Sequence, residues 1–224
     1  EYFYDFNLQN EYQNLQFDFI AIAKNNIYII EVKNLNANEL EICKSSSGNN
    51  YIKTYYEKKS YSITFNSMLK RYKLIDDIIK KFQAKYGDIH FNVFNIMTFI
   101  KDTDILLGEN CKDISIKESD ENIKNNMDKF KLLEVPMING KVVQILSGKE
   151  NIDGYFKNYT SKIYSKNYND MQNKAIDNFT KFLKSDISFR ESTDKNYIIQ
   201  RVYEFFEEVY MYIENENLEL KFND

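Results

Sequence analysis

The chain has 224 residues, of which 43% are hydrophobic, and this length suits one domain or one domain with a helical extension. The formal net charge of −4 argues against a generally basic nucleic-acid-binding protein, and no apolar run is long enough to cross a bilayer. The two cysteines lack metal-ligand spacing and suggest no disulfide framework, so we expect a cytoplasmic protein without a membrane segment.

The first predicted elements are strands. Residues 1–8 alternate weakly between apolar and polar side chains, which favours a strand. The stretch from Leu15 to Asn34 is typical of two strands joined by a tight turn. We predict that the turn is Asn25-Asn26, because asparagine tolerates the positive φ angles of a two-residue hairpin loop.

Three charged side chains converge on one face of this apolar hairpin. The predicted register sets Asp18 opposite Lys33 and diagonal to Glu31. The two carboxylates could share one or two Mg²⁺ ions beside the lysine, a set that suits phosphodiester hydrolysis. The alternative is a cross-strand ion pair between Asp18 and Lys33, with Glu31 reaching water. We favour the metal site because Glu31 follows an apolar run at 27–30, where an unpaired charge is costly.

The segment FDFIAIAKNNIYIIEVKN resembles the nuclease-related domain, NERD, of the PD-(D/E)xK superfamily, which includes many restriction endonucleases. In that family a strand carrying Asp leads through a short turn to a strand ending in Glu-x-Lys-Asn. The resemblance implies that Asp18 and Glu31 bind Mg²⁺ or Mn²⁺ and that Lys33 is the catalytic lysine; we add the carbonyl of Val32 as a further ligand. It also implies an α/β fold, a restriction-endonuclease-like mixed sheet flanked by helices, with nuclease activity on DNA.

The segment that follows combines further strands with a basic helix. We predict strands at 39–44, 51–57 and 61–65, and a helix at 66–86 that Asn66 or Ser67 caps and Gly87 ends. Residues 44–85 hold ten cations and three anions, which predicts either a local surface for phosphate or a solvated helix face. The candidate nucleic-acid contacts in this segment are Lys53, Lys58, Lys59, Lys70, Arg71 and Lys73.

The second half of the chain changes from strands to helices. Residues 91–100 predict a buried strand, 120–130 a helix, and 132–135 with 141–146 a hairpin around Asn139-Gly140. Helices are predicted near 170–183 and 195–214, with a polar link at 185–193. We therefore divide the chain into a nuclease-like core at 1–149 and a helical region at 150–224. The C-terminal helices could bind a protein partner or a second copy of the chain.

Two functions remain open at the level of sequence. The first is a metal-dependent nuclease built on the hairpin carboxylates and lysine. The second is a module with a nuclease-like fold that binds nucleic acid or a protein partner without cutting. The acidic net charge is compatible with the second reading, while the hairpin pattern favours the first.

Overall fold

The computed structural model describes residues 2–9, 14–35, 37, 39–56, 59–87, 90–118, 130–137, 140–164, 170–185 and 187–189. The helices predicted near 120–130 and 195–214 lie outside these residues. The described elements in chain order are β1 (Tyr2–Gln9), β2 (Asn14–Ala23), β3 (Asn26–Lys33), β4 (Glu39–Lys44), β5 (Asn50–Tyr56), β6 (Lys59–Thr64), α1 (Asn66–Tyr86), β7 (Asn92–Phe99), β8 (Asp104–Leu107), β9 (Ser115–Glu118), β10 (Lys131–Pro136), β11 (Val142–Ser147), α2 (Lys149–Tyr164), α3 (Asp170–Ser185) and β12 (Ile187–Phe189).

The main sheet has eight strands in the order β12-β1-β2-β3-β7-β11-β10-β9. Its centre is parallel, because β7 pairs in parallel with both β3 and β11, and the outer pairs are antiparallel. The central strand β3 is apolar from Ile27 to Ile30 because helices cover both faces of the sheet there. The predicted α/β fold, a restriction-endonuclease-like mixed sheet flanked by helices, is confirmed.

Helices cover the main sheet on both sides. On one face, Leu74, Ile75 and Ile78 of α1 and Phe179 and Leu183 of α3 join the core that includes alternate residues of β2 and β3. On the other face, α2 contributes Ile152, Tyr155 and Phe156 to a separate core. Each strand of the centre therefore presents one set of alternating side chains to α1 and the opposite set to α2.

A second sheet has four strands in the order β6-β5-β4-β8, and the chain passes from β6 directly into α1. The strand predicted at 39–44 is confirmed as β4, and the helix is confirmed at Asn66–Tyr86. The strands predicted at 51–57 and 61–65 are confirmed as β5 and β6, although β6 ends at Thr64 and residue 57 lies outside the described residues. The predicted cap was wrong, because the helix begins at Asn66 itself. Phe65 thus occupies the cap position, and no side chain there bonds to the first turn. Phe65 is instead buried in the core beneath the second sheet.

The C-terminal elements pack directly on the main sheet. The polar link expected at 185–193 was wrong for residues 187–189, which form β12 and pair with Phe6, Asn7 and Leu8 of β1. The division of the chain near residue 150 stays a prediction. Within the described part of the chain, no helix has both the length and the apolarity needed to cross a membrane.

Candidate active site

The hairpin that carries the predicted site turns one residue earlier than expected. Ala23 pairs with Asn26, so the loop is Lys24-Asn25 and not Asn25-Asn26. Lys24 takes the left-handed conformation, with φ 54°. Asn26 is held in β3 by its pairing with Asn92 of β7, whose side-chain amide donates to the Asn26 side chain at 2.8 Å. Pairing with the parallel strand β7 therefore places Asn26 in β3, although the sequence pattern assigned it to the turn.

This change shifts the pairing of β2 with β3 by two residues. Each side chain therefore stays on the side of the sheet that was predicted for it. The β2–β3 pairs end at Phe19 and Ile30, and the next pair in that register is Asp18 with Glu31. The prediction that Asp18 lies opposite Lys33 was therefore wrong. Beyond the last pair, the Val32 backbone N–H donates to Asp18 Oδ2 at 3.0 Å, so the carboxylate replaces a ladder bond at this point.

Glu31 is the buried centre of a group of charged side chains. Its side chain is 6% exposed, and Lys33 Nζ lies 2.5 Å from Oε1. On the other side, Arg71 Nη1 of helix α1 lies 2.6 Å from Oε2. This second contact is close enough for an ion pair but is not aligned as a hydrogen bond, so neither Oε2 nor Nη1 has a hydrogen-bond partner among the described residues.

Arg71 was not predicted as part of this site. The sequence signal that places it there is its position on the helix, three residues after the buried Met68 and four before the buried Ile75. That spacing puts an arginine on the apolar stripe of α1, which faces the sheet. A charge on a buried stripe requires an opposite charge across the interface, and Glu31 on β3 provides it.

The electrostatics of the site favour a neutral or cation-bound Asp18. Burial raises the pKa of the Asp18 carboxyl, and the negative charge of Glu31 raises it further. The hydrogen bond from Val32 and the charges of Arg71 and Lys33 act in the opposite direction without reversing the shift. Asp18 and Glu31 are thus close enough to repel each other, as two carboxylates that share a cation would be.

The oxygen atoms of this site fit a hard divalent cation such as Mg²⁺ or Mn²⁺. Glu31 Oε2 is buried and lacks an aligned donor among the described residues, and the Val32 N–H binds Oδ2 of Asp18 and not Oδ1. The described residues contain no cluster of three or more acidic, histidine or cysteine side chains suited to a metal. The protein would therefore contribute two carboxylates and the Val32 carbonyl, and water or substrate would complete the coordination.

The other predicted nucleic-acid contacts lie at separate places. Lys70 and Lys73 are exposed on α1, and Lys53 of β5 has its amine 5.0 Å from the centre of the Tyr55 ring. Lys59 begins β6, and Lys58 lies outside the described residues. Arg71 points inward to Glu31, in contrast to its exposed helix neighbours. Contact of these side chains with nucleic acid stays a prediction.

Comparison with known proteins gives a family match over the N-terminal part of the chain. Residues 1–100 match the family model described as the nuclease-related domain, NERD. This range runs from β1 through β7 and includes Asp18, Glu31, Lys33 and Arg71. No curated protein and no solved structure matches the chain.

Proposed function

We propose that this chain, whose residues 1–100 match the nuclease-related domain, is a divalent-metal-dependent nuclease that hydrolyses phosphodiester bonds in DNA. One observation carries the proposal: the buried Glu31 carboxylate keeps Oε2 without an aligned donor and lies close enough to Asp18 to raise its pKa. Lys33 contacts the same carboxylate through Oε1. Two acids and an amine at the end of one hairpin suit phosphodiester hydrolysis.

Each residue would have a separate task. Asp18, Glu31 and the Val32 carbonyl would hold Mg²⁺ or Mn²⁺, which when bound supplies Lewis acidity at the phosphate. The Val32 N–H fixes the orientation of the Asp18 carboxylate. Lys33 is the most exposed of the charged contacts of Glu31, at 28%, so its amine can reach a substrate. There it would orient the attacking water or stabilise the charge that develops on the phosphate.

The proposal includes DNA as the substrate and the cytoplasm as the location of the protein. Support for a polyanionic substrate comes from the exposed Lys70 and Lys73, which lie on α1 beside Arg71. Support for a reducing compartment comes from Cys43 and Cys111, which are both free thiols.

The proposal is tested by cleavage of plasmid and oligonucleotide DNA with and without Mn²⁺. We expect metal-dependent cleavage by the wild type and a loss of about 100-fold or more in Lys33→Met, Glu31→Gln and Asp18→Asn. Asp104→Asn is the matched control, because it removes an exposed carboxylate from β8 of the second sheet. Cleavage that persists in Glu31→Gln and Lys33→Met would refute the assignment.

A non-cleaving binding module is the second candidate. It is favoured by the two cations on Glu31, because Lys33 and Arg71 already compensate its charge without a metal. Such a module would bind labelled DNA in a fluorescence anisotropy assay but leave it intact at millimolar Mn²⁺. Metal-dependent cleavage by the wild type that is lost in Lys33→Met excludes this candidate.

A further inference from the structure

We infer that Arg71 is a fixed counter-ion of Glu31 whose charge lowers the affinity of the site for divalent cations. The inference rests on the proposed metal site at Asp18 and Glu31, and it adds a fourth charged residue to it. Arg71 is a positioning residue in this scheme, because it acts on Glu31 and does not contact the substrate. Its effect is therefore expected in metal binding before it is expected in the chemical step.

Arg71 is held in place by contacts that do not depend on Glu31. Its Nε donates to the Gln16 backbone carbonyl of β2 at 2.6 Å, and its guanidinium carbon lies 5.9 Å from the centre of the Phe17 ring. The helix beneath it is anchored by buried neighbours, among them Leu74 and Ile75. The guanidinium thus stays beside Glu31 whether or not the carboxylate has another partner.

The depth of Arg71 argues against the direct contact with nucleic acid that was predicted for it. Its side chain is 13% exposed, and Nη1, the atom nearest Glu31, is shielded from solvent. A phosphate oxygen approaching from solvent would meet Lys33, at 28% exposure, before it could meet Nη1. The charge of Arg71 therefore acts on the carboxylates.

The charges of the site balance before any metal arrives. Asp18 and Glu31 supply two negative charges when ionised, and Lys33 and Arg71 supply two positive ones. A divalent cation then adds charge that the protein does not compensate, which weakens its binding. Without the Arg71 charge, the site has a net negative charge and attracts the cation. Coulomb's law for a unit charge and a divalent ion roughly 5 Å apart gives an effect of about tenfold even with strong solvent screening.

The test is a Mn²⁺ titration of the metal-free protein, with free Mn²⁺ measured by electron paramagnetic resonance at low salt. We expect Arg71→Met to bind Mn²⁺ about tenfold more tightly than the wild type. A residue that only supports the fold would leave the affinity unchanged or reduce it. Arg71→Lys keeps the charge and is expected to bind Mn²⁺ as the wild type does. Lys80→Met removes an exposed charge from the same helix, more than two turns further along, and is expected to do the same.

Every result decides the inference. Equal or weaker binding by Arg71→Met overturns it, as does the absence of Mn²⁺ binding by both proteins. If Arg71→Met and Arg71→Gln are unfolded without metal, circular dichroism with added Mn²⁺ decides: recovery of the fold supports the inference, and a protein that stays unfolded overturns it. If Arg71→Met binds Mn²⁺ more tightly but the wild type cleaves no DNA, the nuclease proposal is refuted and the inference about Arg71 stands. If the wild type cleaves DNA but Arg71→Met has an unchanged Mn²⁺ affinity, only the inference about Arg71 is refuted.

Discussion

The ion pair between Glu31 and Arg71 makes a strong prediction about stability. Arg71→Met removes the cation nearest to Oε2 and leaves a carboxylate that is 6% exposed with only Lys33 as compensation. Breaking a buried pair costs about 3–5 kcal/mol, and the remaining lysine reduces this to about 2–3 kcal/mol. Loss of the Nε hydrogen bond to Gln16 adds about 1 kcal/mol. We expect the free energy of unfolding to fall by about 3–4 kcal/mol in the metal-free protein.

The reverse variant and the double variant complete the cycle. Glu31→Gln leaves Arg71 without its carboxylate and should cost about 2–3 kcal/mol. The double variant leaves neither charge unpaired, so it should cost less than the sum of the single variants by about 2–3 kcal/mol. This coupling energy is the quantity that the buried pair predicts.

Urea unfolding followed by circular dichroism measures all four proteins. In a chain of this length 1 kcal/mol corresponds to about 2–4 °C in the melting temperature, so thermal melting provides an independent check. Additive single variants, with a coupling energy below about 0.5 kcal/mol, would refute the buried ion pair. Lys80→Met is the matched control, because its partner Asp76 is an exposed i,i+4 neighbour on the same helix. It should change stability by no more than about 0.5 kcal/mol.

Two further predictions concern Asp18 and the C-terminal helix. The folded-state pKa of Asp18 is raised above its ordinary value of 3.8, so its contribution to stability is fully present below pH 3.8 and is lost as pH rises through the folded value. Asp18→Asn should therefore raise the melting temperature of the metal-free protein at neutral pH, with a gain that shrinks towards pH 4. Phe179→Ala should lower the free energy of unfolding by about 3–5 kcal/mol, measured by urea unfolding, because its fully buried ring lies 5.2 Å from Phe82 and 4.4 Å from Phe91 between centroids.

These two predictions have their own controls. For Asp18, the melting temperature of Asp104→Asn should show no gain that grows with pH, since that carboxylate is exposed. A wild type more stable than Asp18→Asn at neutral pH would contradict the first prediction. For the helix, Asp177→Ala alters an exposed residue of the same turn and should be nearly neutral. If Phe179→Ala were equally mild, α3 would not pack on the core as described.

The elements that the sequence predicted best are those whose periodicity is decided locally. The predicted apolar stripe of α1 is confirmed at four positions, the buried Met68, Ile75, Ile79 and Phe82. It was wrong for Tyr86, which is exposed, and Tyr72 is only half-buried. The strands of the hairpin were predicted from alternation and apolar runs in the same way. The face shared by Asp18 and Glu31 survived an error in the turn, because a shift of two residues preserves the side of the sheet.

The elements that the sequence did not predict depend on partners far along the chain. The turn moved because Asn26 pairs with Asn92, which lies 66 residues away. β12 is three residues long, too short for a periodic signal, and forms only because β1 offers an edge. Arg71 was read as one of several solvent-exposed cations. The helical spacing from the buried Met68 and Ile75 was a signal for its inward position that the prediction missed. Its partner Glu31 became apparent only from the packing of α1 against β3.

The pairing of β12 with β1 has a consequence for synthesis of the protein. Strand β1 is synthesised well before residues 187–189, which cover its outer edge in the folded protein. Until then the nascent β1 exposes a row of unsatisfied amides and carbonyls, and its inner side chains Phe3, Phe6 and Leu8 still lack the aromatic residues of α3. A fragment that ends after β11 would therefore keep the outer edge of β1 unpaired, and we expect such fragments to aggregate or to depend on chaperones.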